Sequence, residues 1–367
     1  MNSIPVSPED PVNMALLSVA EDRIDGFRRH PFHAIARQSG LELPVVLERL
    51  KAMKKAGVVR RIRQTLLATK LAQGALVAWD IPEERLHDAF DWLMHEDPFT
   101  GHVVLRTTDA PTPGSNFRLW TTLKVPVGCN TLEGHCSVLS RHIGAREFVL
   151  LPARGIFALG VGHMRRRNLK PGDKTPEPAA MEETRHASLT PEEWRVLLVL
   201  KEELLDEEIT EEPWERRAAS LGMTTEHFCS IAEKLDHQKV IGRFATFLEH
   251  MQQKVSDGPV TRYNGLFHWT VPEGMEARAG AECGRHICMT HCYWRTGGAP
   301  FAGAQIMGVV HGMEKDIVLA HKNAIDAHLE ACGIPVLHTA VFWSIRSEIK
   351  PSEISPDIYA AWLAQMA

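Results

Sequence analysis

The sequence predicts an α+β protein built as a tandem repeat. Three observations carry this. A segment rich in proline and charge divides the 367-residue chain into two halves of similar length. The halves repeat one helix-turn-helix pattern at constant spacing. Each pattern is then followed by short strands of one order. Hydrophobic residues make up 44% and charged residues 24%, the balance of a globular chain rather than a disordered or fibrous one.

The first unit reads FHAIARQSGLELPVVLERLKAMKKAGVVRRI. Gly40 ends a helix in a tight turn, and a second helix is expected from about Pro44 to Ala56. Proline suits a first helical turn, and Val46, Leu47, Leu50 and Met53 form an apolar stripe. Gly57 stops the helix before a strand at Val58-Val59. WERRAASLGMTTEHFCSIAEKLDHQKVIGRFA repeats the plan: Gly222 matches Gly40, Phe228 matches Val46, Leu235 matches Met53, and Val240-Ile241 matches Val58-Val59. Both read as winged helix-turn-helix units, over 14–65 and 191–248.

After each unit comes a tryptophan strand, ALVAWDIPEE and GLFHWTVPEG. A helix, a strand bearing H-x-x-x-R, a further strand (FRLWTTLKV, AQIMGVVHG), a helix and a last strand follow. The order βαββαβ predicts ferredoxin-like domains over 66–163 and 249–351. Such a sheet carries helices on one face and leaves the other for a ligand or partner. Residues 164–190, with Pro171, Pro176 and Pro178 and dense charge, read as a linker without a core, and 352–367 as a C-terminal tail.

Charge and cysteine usage narrow the function. Lys and Arg number 41 against 46 Asp and Glu, a net charge of −5. Phosphate neutralisation carries much of the affinity of DNA-binding proteins, so a mildly acidic chain argues against sequence-specific DNA binding. The second helix-turn-helix adds Glu226, Glu233 and Asp236 to the helix that would approach phosphate. Seven cysteines, an odd number, point to reduced thiols. No apolar run is long enough for a transmembrane helix and the acidic N-terminus lacks secretory features, so a cytoplasmic protein is expected.

The sharpest local feature is HICMTHCYWRTGG. On a strand, His291, Tyr293 and Arg295 share one face and offer a proton donor, a phenol and a carboxylate-binding guanidinium in a row. A solvated polar strand face is the plain alternative. The first-half counterpart keeps His102 and Arg106 but has Val104 for Tyr293, so the second copy is read as the active one. His311 closes a strand beside Gly312, and Arg346 and Lys350 lie on the last strand, with Arg154 as the first-half equivalent of Arg346. Cys283, His286, Cys288, His291 and Cys292 lack the C-x-x-C pairs of a zinc ribbon, and no metal is expected there.

The helix-turn-helix plus βαββαβ layout resembles the Lrp/AsnC regulators. The narrower motifs H-C-Y-x-R, V-V-H-G and S-x-R-x-E-x-K, with R-L-W-T-T-L and L-P-A-R-G-I-F in the first half, resemble the siroheme decarboxylases of haem d1 and alternative haem biosynthesis. The resemblance covers about 30–165 and 190–351. It departs at AGAQI where the family has W-P-Y-N-L, with Pro300-Phe301 displaced upstream, and at Arg118, Val104 and Ala158, where the family has asparagine, tyrosine and lysine. The resemblance implies removal of carbon dioxide from the C12 and C18 acetates of siroheme, giving didecarboxysiroheme. It implies siroheme or a related iron tetrapyrrole as ligand, homologous subunits as partners, and no cofactor beyond the iron of the substrate. On this reading His291 and Tyr293 are catalytic, while Arg295, His311, Arg346, Lys350, His102, Arg106 and Arg154 bind substrate. A haem- or metabolite-responsive regulator and a tetrapyrrole carrier without turnover are the alternatives.

Overall fold

The computed structural model describes residues 4–67, 72–160, 169–183, 187, 189–249, 261–295 and 297–366. In chain order, the first half gives α1 (Pro11–Ala20), β1 (Ile24–Asp25), α2 (Pro31–Ser39), α3 (Leu43–Lys55), β2 (Val59–Leu66), β3 (Ala72–Asp80), α4 (Leu86–His95), β4 (Thr100–Thr107), β5 (Phe117–Pro126), α5 (Leu132–Ile143), β6 (Glu147–Leu159) and β7 (Glu182–Glu183). The second gives α6 (Pro191–Leu200), α7 (Glu215–Ser220), α8 (Thr225–His237), β8 (Ile241–Leu248), β9 (Tyr263–Thr270), α9 (Glu276–Gly284), β10 (Met289–Arg295), β11 (Ile306–Gly312), α10 (Lys315–Ala331), β12 (His338–Ile349) and α11 (Pro356–Gln365). The α+β class expected from sequence is the observed one.

The chain forms two compact units, and each draws on both halves. One unit holds α1 to β2 and α6 to β8. Its helices form where the sequence places them. Gly40 caps α2 in the left-handed region (φ 73°), and a proline opens α3. Val46, Leu50 and Met53 of α3 and Phe228, Ile231 and Leu235 of α8 are buried. The strands after the two helix pairs join one sheet in the order β1-β8-β2, with β2 antiparallel to β8. Five charged groups of the two turn-following helices, Arg49, Lys54, Glu226, Glu233 and Lys234, meet protein partners. Arg29 pairs with Glu226 at 2.5 Å and Glu233 at 2.6 Å on α8. On α3, Arg49 pairs with Asp10 and Lys54 with Asp206.

The other unit holds both βαββαβ runs. Each run orders its strands 2-3-1-4, as β4-β5-β3-β6 and β10-β11-β9-β12. The two runs join through β12–β4 and again through β10–β6, so eight antiparallel strands close on themselves. The bridging strands β6 and β12 divide their length, pairing with their own run first and with the other run beyond it. The helices cover the outer face. Trp79, Phe90 and Phe99 pack among α4 and α5, and Phe267, Trp269 and Val318 among α9 and α10. The inner face carries a third cluster from both runs, including Trp120, Leu151, Leu266, Phe301, Met307 and Phe342. Each large side chain so buried contributes roughly 1.5–3 kcal/mol.

Two sequence expectations need correction here. The described part of the expected linker does not stand off in solvent. Leu169 and Ala179 pack on the α9–α10 core, backbone hydrogen bonds tie Thr175 to Arg285 and Ala179 to Ala281, and β7 pairs with β6. Three prolines exclude helix but not an extended strap lying on a neighbour. Residues 164–168, 184–186 and 188 of that stretch lie outside the described residues. The expected tail contains α11, whose Tyr359 and Trp362 are buried in the core of the first βαββαβ run.

Candidate active site

The site is built on β10. Successive strand side chains alternate faces, and Cys292 is buried against α9 on the outer side, its thiol donating to the Gly280 carbonyl. His291, Tyr293 and Arg295 therefore line the inner face. The His291 and Tyr293 rings lie near parallel, 18° apart with centroids separated by 6.2 Å. The Arg295 guanidinium sits 4.4 Å from the Tyr293 ring centroid, within cation–π range. The three side chains form one continuous stack.

Hydrogen bonds orient its ends. Thr290 Oγ1 donates to the Val309 carbonyl, so its oxygen accepts from His291 Nδ1 at 3.1 Å. That contact fixes the orientation of the His291 ring. Arg295 is buried. Its Nη1 donates to the Leu151 carbonyl at 2.5 Å, its Nε has no hydrogen-bond partner, and burial lowers its pKa. A buried guanidinium without a carboxylate is costly, and an incoming anion relieves that cost.

His311 falls on the same inner face. It pairs with Asn264 on β9, two residues beyond Val309, the cross-strand partner of His291. The first-repeat counterpart is built in the same way. Arg106 is buried, donates from Nη1 to the Phe342 carbonyl, and has an unpartnered Nε; burial pushes its pKa down to about 9. His102 Nε2 lies 2.7 Å from Ser347 Oγ. Each arginine thus bonds a strand of the other repeat: Arg295 reaches β6, and Arg106 reaches β12.

Three expected binding residues are placed elsewhere. The pairing of β12 with β4 shifts between Ser344 and Arg346, leaving Ile345 as the extra residue, 52% exposed. This bulge inverts the alternation beyond it. Arg346 is turned outward over the Phe90 ring, at 3.8 Å, and pairs with Asp91 and Glu348. Lys350 donates to the carbonyls of Leu93, Met94 and Asp97 at the end of α4. Their charges are engaged by the protein, which corrects the expectation of a substrate-facing cationic pair. Arg154 is exposed and lies over Trp294, on the face of β10 opposite Tyr293.

Sequence reading missed His268 on β9. It is 1% exposed, among the rings of Trp120, Phe301 and Phe342. Burial first, then the nearby Arg106 and His338, push its pKa down to about 3, so the imidazole is neutral. The alternation Asn264, Leu266, His268 within NGLFHWTVPEG is the available signal. Cys283, Cys288 and Cys292 are buried in the outer core, and burial raises the thiol pKa values of Cys283 and Cys292.

No protein-family model matches the chain. A siroheme decarboxylase of Hydrogenobacter thermophilus is 25% identical over 292 residues, which cover 77% of this chain and 78% of the relative. The chain is similar to the siroheme decarboxylases. The NirH subunit of the siroheme decarboxylase of Stutzerimonas stutzeri is 29% identical over 124 residues, 33% of this chain and 68% of that subunit. The siroheme decarboxylase beta subunit of Methanosarcina barkeri is 28% identical over 143 residues, 38% of this chain and 90% of the subunit. Among solved structures, the siroheme decarboxylase NirDL matches with a TM-score of 0.65 at 18% identity, covering 96% of this chain and 98% of that one. Its co-complex with an iron-uroporphyrin III analogue matches at the same TM-score and identity, with 99% of that chain covered. These two likenesses establish a shared fold.

Proposed function

We propose that this chain is a siroheme decarboxylase, a carbon–carbon lyase that converts the C12 and C18 ring acetates of siroheme to methyls. The observation that carries the reading is the stacked His291, Tyr293 and Arg295 on one strand face. Similarity to siroheme decarboxylases along most of the chain supports it. Each acetate loses carbon dioxide, and a proton must reach the carbon left behind. The conjugated macrocycle of the substrate takes up the electron pair in the interval. His291 supplies the proton as the imidazolium and is left neutral, Tyr293 fixes the imidazole plane, and Arg295 receives a carboxylate at its unpartnered Nε. Arg106, His102 and His311 serve the remaining carboxylates from the same inner face. The iron belongs to the substrate.

On this reading the two halves stand for two homologous subunits of Lrp/AsnC-like design, each a winged helix-turn-helix with a ferredoxin-like domain, working in the cytoplasm. The regulator reading is disfavoured by α8, whose acidic residues hold Arg29 where a recognition helix would hold phosphate. The deciding experiment is anaerobic incubation with siroheme and mass analysis of the recovered tetrapyrrole. Two successive losses of one carbon dioxide are expected. Binding with unchanged mass would establish a carrier instead.

A further inference from the structure

We propose that Glu282, His328 and Cys332, with the neighbouring His286 turning in as a fourth ligand, form a binding site for a borderline-soft divalent metal ion, Zn2+ being the type case, on the outer helical face of the second repeat. Glu282 lies near the end of α9. His328 and Cys332 are one turn apart at the end of α10. Each of the three presents a ligand atom within 4.8 Å of the others. Glu282 Oε2 is 2.7 Å and Cys332 Sγ 3.6 Å from His328 Nε2. Carboxylate, imidazole and thiolate together are a ligand set for zinc rather than for calcium or magnesium.

His286 is the independent observation. It is 1% exposed, and neither ring nitrogen has a hydrogen-bond partner. Its ring stands 5.1 Å from that of His328, at 72°. Its nitrogens lie outside the 4.8 Å cluster of the other three, so His286 ligates by a turn of its ring toward them; buried polar groups are nearly always satisfied, and a metal ion is one way to satisfy an imidazole.

A metal-free network accounts for only part of this cluster. Lys174 donates to His328 Nδ1 at 2.8 Å, and Arg285 donates to Glu282 at 3.1 Å. That chain satisfies His328 and Glu282 but leaves both nitrogens of His286 unanswered. On metal uptake, Lys174, at the solvent side, releases Nδ1. The His328 proton moves to Nδ1, Nε2 ligates, and the Cys332 thiol gives one proton to solvent as its sulfur binds. The site is separate from the inner face, and its test does not involve siroheme.

The full-length chain, stripped with chelator and kept anaerobic, is titrated with Co2+. One equivalent should bind, with a thiolate-to-cobalt charge-transfer band and the intense visible bands of tetrahedral cobalt, both abolished by Zn2+. Cys332→Ser should remove the charge-transfer band, while Cys129→Ser keeps it. His286→Ala and His328→Gln should each weaken binding by roughly tenfold or more. Lys174→Gln removes the opposing ammonium and should tighten it. In the unmutated chain, Zn2+ should also protect Cys332 from alkylation, a readout that needs no variant to fold. Absence of stoichiometric uptake, a band that survives Cys332→Ser, or alkylation of Cys332 unaffected by Zn2+ would overturn the proposal.

Discussion

At the residue scale, His291 and His102 are the pair that tests the assignment of roles. Only the second copy carries the phenol between histidine and arginine; in the first, Val104 is buried at that position. His291→Ala should lower turnover of siroheme about 100- to 10,000-fold, the usual cost of losing a general acid, and His102→Ala far less. Single-turnover rates measured anaerobically decide it, and a larger loss from His102→Ala would place the chemistry in the other repeat. His268 makes a separate prediction about stability. Its folded pKa of about 3 lies below the ordinary 6.5, so acid protonates the unfolded chain first. Stability is then intact above about pH 6.5 and falls as pH drops toward 3, by at most about 1.4 kcal/mol per pH unit from this group. His286, held at about 4, acts in the same direction over a shorter window. Urea unfolding of His268→Leu at about pH 7 and about pH 5 should show a smaller difference than the unmutated chain. Equal differences would mean that acid sensitivity arises elsewhere.

At the element scale, what the sequence made legible was whatever obeys a local period. The alternation of His291, Tyr293 and Arg295 follows from strand geometry, and β10 realises it. The same alternation misplaces Arg346 and Lys350, because the extra residue Ile345 inverts the phase of β12 beyond the bulge. Nothing in S-x-R-x-E-x-K announces a bulge; it is set by pairing with β4, a strand more than two hundred residues earlier. The prolines of 169–183 exclude helix but not packing. Lys350 gives this difference a measurable form. Its ammonium caps the carbonyl end of α4, where a cation is favoured by the helix dipole. Lys350→Met should cost about 1–2 kcal/mol of stability and leave the KM for siroheme unchanged at a temperature where the variant is folded. A large rise in KM without loss of stability would restore Lys350 to the substrate.

At the scale of the whole molecule, the repeat was legible and its closure was not. Local periodicity defines each βαββαβ run, but which strand meets which edge is a non-local choice. Here the last strand of each run pairs with the second strand of the other, as β12–β4 and β6–β10. The paired strands β2 and β8 of the other unit likewise come from different halves. A half expressed alone would therefore expose two long strand edges in one unit and a third in the other, and unpaired edges recruit other chains. It would also part α11 from the first-run core that buries Tyr359 and Trp362. Arg295 would lose the Leu151 carbonyl and Arg106 the Phe342 carbonyl, so neither inner face would keep its guanidinium in place. The two halves, 1–186 and 187–367, should each aggregate or self-associate when produced separately. Produced together, they should co-purify as one complex with the mass of the intact chain and recover siroheme decarboxylation. Size-exclusion chromatography with light scattering reads the first outcome and tetrapyrrole mass analysis the second. Two stable, monomeric halves would contradict the closed sheet, whereas a stable complex without turnover would keep the fold and place the chemistry in doubt.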